Sequence, residues 1–165
     1  MKRSLHEQHK LLWNELARTG GDDKGEVIKK LNEDGFPIEF QRVSGRPWKE
    51  VLQLIANCDI YIGKILKTIP STNEGMTFTA TGVGAMEAGV FKKPALSMVH
   101  ELEKEQGCPV VEVNEETLYK ELKKLCKSEP LRKRKGNDLY NYVRKYHDIK
   151  PVVDIWEKEV GKVWK

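Results

Sequence analysis

No single sign of charge dominates this chain. Its 29 Lys and Arg stand against 25 Asp and Glu, interspersed, for a net charge of +4 over 165 residues. That balance gives no footprint for a polyanion, so no specific nucleic acid is expected as a partner. The one basic run, Leu131-Arg-Lys-Arg-Lys135, sits in a helical context and reads as a solvated face. Cysteine is scarce too. Cys58, Cys108 and Cys126 are far apart, with no Cys-x-x-Cys and no Cys/His pairing at metal-ligand spacing. This excludes a disulfide framework and a zinc-ribbon site, and suits reduced, half-buried thiols of a cytoplasmic protein. No Asp-x-Asp pair occurs. His6, His9, His100 and His147 lack an acid partner at a recognisable spacing, so no catalytic residue is assigned. Long apolar runs are absent: nothing approaches the roughly 18 residues of a transmembrane segment, and the N-terminus has no signal-peptide core.

What the chain does have is alternation. Phe36–Val43 alternates apolar and polar residues as a strand does, and Asp59–Gly63, Pro94–Met98 and Pro109–Val113 are short apolar runs bounded by turn signals. Between them lie helical patterns at 24–34 and 48–56. Three more follow at 115–127, 129–146 and 151–163, the second with Pro130 in its first turn. The N-terminal part reads two ways. A capping box at Ser4–Glu7 with Leu5, Leu12 and Leu16 supports a helix over 5–18, whereas His9–Trp13 reads equally well as an edge strand. Strands alternating with helices imply an α/β fold, a Rossmann-like parallel sheet of four to six strands flanked by helices. The length fits one domain over 1–165, divided into an N-terminal segment 1–20, a βα core 21–127 and C-terminal helices 128–165. The polar stretch 67–77 is the expected mobile loop. Trp13, Trp48, Trp156 and Trp164 fall at helical spacing with other apolar residues and are expected in the core.

The most informative stretch runs from Thr79 through Gly82-Val-Gly-Ala-Met-Glu87-Ala to Lys93-Pro94-Ala-Leu. It reads as a Gly-containing turn, a short helix and a buried strand. Unpartnered N–H groups at such a helix start hold phosphate, since the helix dipole favours negative charge there. Thr81, Gly82 and Val83 would supply those backbone donors, and Glu87, a turn and a half further on, would accept from a ribose hydroxyl pair. The opposing reading is that Gly82, Gly84, Ala85, Ala88 and Gly89 are small only for close packing.

In order, these pieces resemble the C-terminal, nucleotide-sugar-binding domain of GT-B glycosyltransferases of the retaining group 1 type. The resemblance rests on Asp23-Lys-Gly25 opening a helix, Trp48-Lys-Glu-Val-Leu leading to Ala56-Asn-Cys-Asp-Ile-Tyr-Ile62, the Gly82–Glu87 segment with Lys93-Pro94, and Tyr142-Val-Arg-Lys-Tyr-His-Asp148 in the tail. It covers roughly residues 18–160. It implies a nucleotide-diphosphate sugar as donor substrate, no separate cofactor and no metal. It also implies that Arg18 and Lys24 face the leaving diphosphate, with Glu87 on the ribose. Arg18 has a plainer role open to it, as a cation at a helix C-terminus. Arg46, Lys64 and His100 are lesser candidates, their usual explanation being solvent exposure.

Two departures stand out. Eight residues before Glu87 the chain has Thr79 where the family has a second glutamate, with Glu74 as a possible substitute. The acceptor-binding half of a GT-B enzyme also finds no room, so sugar transfer would need a separate acceptor-binding domain or a homo-oligomer. Two further readings remain: a non-catalytic binding or scaffold domain, and a half resembling a nucleotide-sugar epimerase. The stripe Val152, Trp156, Val160 on the last helix is expected to pack away from the sheet's middle or to cross toward another domain.

Overall fold

The computed structural model describes residues 9–14, 23–63, 65 and 81–163. Among the described residues five parallel strands and seven helices follow one another: β1 (His9–Asn14), α1 (Asp23–Glu33), β2 (Ile38–Val43), α2 (Trp48–Asn57), β3 (Ile60–Ile62), α3 (Val83–Val90), β4 (Ala95–Ser97), α4 (Glu101–Glu105), β5 (Val111–Glu112), α5 (Glu115–Lys127), α6 (Glu129–Tyr146) and α7 (Ile149–Val163). The strand order is β2-β1-β3-β4-β5. This is the expected Rossmann-like α/β architecture.

β1 settles the N-terminal ambiguity for the residues described. It is a strand, and an interior one rather than an edge, pairing Leu11 with Phe40 on one side and with Ile60 on the other. The helical reading of 5–18 fails over 9–14 because adjacent Leu11 and Leu12 are both buried, one on each face of the sheet. Parallel strands covered on both faces read as continuous apolar runs, a pattern a helix periodicity imitates over a few residues.

That alternation divides the core. Leu12, Tyr61 and Ala95 point to one face, where α2, α3 and α6 cover them with Val51, Ile55, Ala85, Ala88, Leu139 and Val143. Leu11, Ile60, Ile62 and Leu96 point to the other, against Ile28 and Leu31 of α1 and Leu118, Leu122 and Leu125 of α5. Burying one Leu or Ile contributes roughly 1.5–3 kcal/mol, so these two layers supply most of the driving force.

Local signals fix the helix ends. The Asn114 side chain accepts from the Thr117 N–H (2.9 Å) while Thr117 Oγ1 accepts from the Asn114 N–H (3.0 Å), opening α5. Ser128 Oγ accepts from the Leu131 N–H (3.2 Å) at the start of α6. The short α4 was not expected from periodicity, its five residues being too few to show any. Among the described residues no helix is long and apolar enough to cross a membrane.

The basic run 131–135 needs a correction. Arg132 is buried, and its guanidinium donates to the Leu125 (2.6 Å) and Cys126 (3.2 Å) carbonyls. Only Ser128 separates α5 from α6; of the carbonyls that end α5, Leu125 has one long bond from the Ser128 N–H (3.4 Å) and Cys126 lacks a backbone donor. Arg132 donates to both.

Candidate functional site

α2 begins just past the C-terminal end of β2, and α3 begins at that same edge after the long connection from β3. The strand order reverses between β1 and β3, and in open parallel sheets ligands bind in the crevice outside the strand ends at such a reversal.

α3 starts without a side-chain cap. Its N-cap is Gly82, in extended conformation, and among the described residues no side-chain cap bonds its first turn. Val83, the first helical residue, is exposed. Thr81 is buried beside this start, and its Oγ1 accepts the His100 N–H at 3.0 Å. The hydroxyl therefore ties the approach to α3 to the start of α4. His100 in turn accepts the Leu102 N–H through Nδ1 (3.2 Å), so its half-exposed ring serves as a helix cap.

The small residues of α3 have different reasons for being small. At Gly84 a Cβ would collide with the Tyr61 hydroxyl beneath, and at Gly89 it would stand 2.8 Å from Leu139 Cγ on α6. Ala85 and Ala88 are fully buried against the sheet. Packing explains these four. Gly82 is different: a Cβ there would meet nothing within 4 Å, and its backbone does not demand glycine.

Glu87 lies on the exposed side of α3 toward α2, half-buried. Its Oε1 accepts the Trp48 indole N–H at 2.5 Å. An ionised carboxylate has about four acceptor positions, so this bond leaves capacity for further donors. Trp48 itself is 63% exposed, which corrects its expected place in the core. It shares the stripe of Val51 and Ile55, but as the first residue of α2 it stands a turn beyond the rim of the sheet. Trp156, 68% exposed on α7, is likewise outside the core. Arg46 lies in the loop before α2 and pairs with Glu50 at 3.4 Å.

Of the remaining candidates, Lys24 is in the first turn of α1, which follows β1 to the same edge. Arg18, Lys64, Glu74, Thr79, His6, Trp164 and the expected mobile loop 67–77 lie outside the described residues. The sheet edge thus brings together Thr81, Gly82, Val83 and Glu87 from the sequence reading and adds Trp48, which that reading missed. The available signal was its position directly after Gly45-Arg-Pro47 at a strand's C-terminal end, where a first-turn residue reaches the rim.

No cysteine is set up as a nucleophile. Burial pushes the Cys58 thiol up to about 12 and Cys126 to about 11, and it raises Cys108 as well, so none is a ready thiolate. Among the described residues, no three His, Cys, Asp or Glu side chains are grouped to hold a metal ion. A basic depression of about 180 Å³ exists at the opposite sheet edge, between Asp59, Lys92, Lys93, Pro94, Glu129, Arg132 and Lys133. Its charges are largely used internally: Lys133 pairs with Glu129 at 3.0 Å, Asp59 accepts the Lys10 N–H at 2.9 Å, and Arg132 holds the end of α5.

Compared with known families and with characterised proteins, the sequence matches no family model and no curated protein.

Proposed function

We propose that this domain binds a nucleoside diphosphate, carried as a nucleotide-diphosphate sugar, at the C-terminal edge of its sheet between α2 and α3. The observation that carries the reading is the Trp48–Glu87 pair beside the uncapped start of α3. An exposed indole offers a face on which a base stacks. A carboxylate next to it accepts from ribose hydroxyls. The N–H groups at Gly82 and Val83 meet phosphate oxygens, and Gly82 leaves room for them to approach. Lys24, from the start of α1, adds a compact positive charge for the diphosphate. The order of motifs resembling the GT-B donor domain supports a glycosyltransferase context, in which an acceptor-binding partner completes the cleft and the sugar is transferred there.

One observation favours a second reading, a non-catalytic module: Glu87 already has a protein partner in Trp48. Titration of the purified chain with UDP, GDP, ADP and the matching nucleosides separates the two. Saturable binding of one base, tighter for the diphosphate than for the nucleoside, is the expected result. No saturation by any of them into the millimolar range would overturn the donor-site reading.

A further inference from the structure

The last helix carries an apolar seam that nothing among the described residues covers. On α7, Ile149, Val153, Trp156 and Val160 follow one another at steps of four, three and four, and they are 79%, 45%, 68% and 40% exposed. Alternating steps of three and four are the pattern of a coiled-coil seam, which needs a second helix presenting a matching row. Among the described residues α7 touches the rest of the chain chiefly through α6, and none of its described side chains is buried.

Charge placement selects the partner. Lys150 and Glu157 stand seven residues apart on one flank of the seam, and among the described residues neither makes an ion pair. If two copies of α7 pair antiparallel, Ile149 meets Val160 and Val153 meets Trp156 across the axis. Lys150 of each copy then lies beside Glu157 of the other, twice by symmetry. In a parallel pair Glu157 would lie beside Val152, and Lys150 would meet no acidic group. The row is therefore self-complementary in charge as well as in shape only when the second copy runs the opposite way.

We propose that α7 is a self-association surface, and that two copies of this chain join through antiparallel α7 helices. This inference does not depend on what the sheet edge binds. A helix of 15 residues is about 22 Å long, so the contact falls short of the roughly 1,200 Å² of a standard interface and the dimer is weak and concentration-dependent.

Sedimentation equilibrium of the full chain from low micromolar to millimolar concentration tests it. The expected result is a monomer–dimer equilibrium that Trp156→Asp abolishes while circular dichroism and melting temperature hold. Lys150→Glu and Glu157→Lys should each weaken dimerisation, between about two- and thirtyfold for the loss of two exposed ion pairs, and the double exchange K150E/E157K should restore it. A monomer at every concentration, a dimer indifferent to Trp156→Asp, or a double exchange that fails to restore association would each overturn the proposal. A chain that stays monomeric alone would point to a partner of different sequence.

Discussion

At the scale of single residues, Glu87 and Arg132 make opposite forecasts. Glu87→Gln keeps an oxygen for the Trp48 indole N–H and removes only the charge. If the carboxylate holds ribose, nucleotide affinity should fall about ten- to a hundredfold, the equivalent of a charged hydrogen bond of roughly 1.5–3 kcal/mol, with the melting temperature unchanged. Calorimetric titration and a thermal melt on the same variant decide it, and unchanged binding with a lowered melting point would assign Glu87 to structure alone. Arg132→Met is the reverse case. It keeps the aliphatic stem but leaves the Cys126 carbonyl without a donor and the Leu125 carbonyl with only the long Ser128 N–H bond, so urea unfolding should show about 1.5–3 kcal/mol of lost stability and no effect on any ligand. The sequence singled out Glu87 as a site candidate but gave no sign that Arg132 is structural. A charge that satisfies a helix end is indistinguishable, in a basic run, from one that faces water; only the junction between α5 and α6 makes Arg132 structural.

At the scale of elements, the helices and strands with firm punctuation were legible. α5 and α6 lie where their capping residues place them, Glu115–Lys127 and Glu129–Tyr146, because Asn114, Ser128 and Pro130 encode their starts locally. β1 was half legible, since its two adjacent leucines obey a rule of burial on two faces that only the assembled sheet reveals. The site was legible along α3, where one chain segment carries Thr81, Gly82, Val83 and Glu87, and illegible at Trp48, which reaches α3 from 39 residues away. The packing of α3 on α6 gives a further test at Gly136. Alanine in a helix interior normally gains about 1 kcal/mol over glycine. Here a Cβ would run into the Lys92 carbonyl at the end of α3, backbone that cannot turn aside. Gly136→Ala should therefore destabilise, by about 1–3 kcal/mol in urea unfolding. A stabilised variant would show that α3 and α6 sit further apart.

At the scale of the whole molecule, the buried thiols tie stability to alkaline pH. Cys58 and Cys126 lie in the two different cores, one on each side of the sheet, so they report on both layers at once. Desolvation holds their folded values near 12 and 11, against 9.0 for the free group. Above pH 9 the unfolded chain releases protons that the folded chain keeps. Unfolding then carries fewer bound protons than folding, and stability must fall as pH rises. The contribution is complete below about pH 9 and is lost progressively toward 11 and 12. Tyr142 is also raised, from 10.0, and Lys104 and Lys123 from 10.5, so all three act in the same direction but begin later. The interval between pH 9 and 10 therefore belongs mainly to the thiols, each limited to about 1.4 kcal/mol per pH unit. Urea midpoints measured every half unit from pH 8 to 10.5 should decline through this interval. The double variant C58A/C126A should flatten the decline while leaving the fold intact, at the cost of two small cavities. Ellman's reagent supplies an independent reading: half-buried Cys108 should react first in the folded chain, and the other two only as it opens. A midpoint that stays level from pH 8 to 10 in the parent chain, or Cys58 reacting as fast as Cys108, would mean that water reaches the core beneath α2, and that the sheet is less tightly covered on that face than its packing implies.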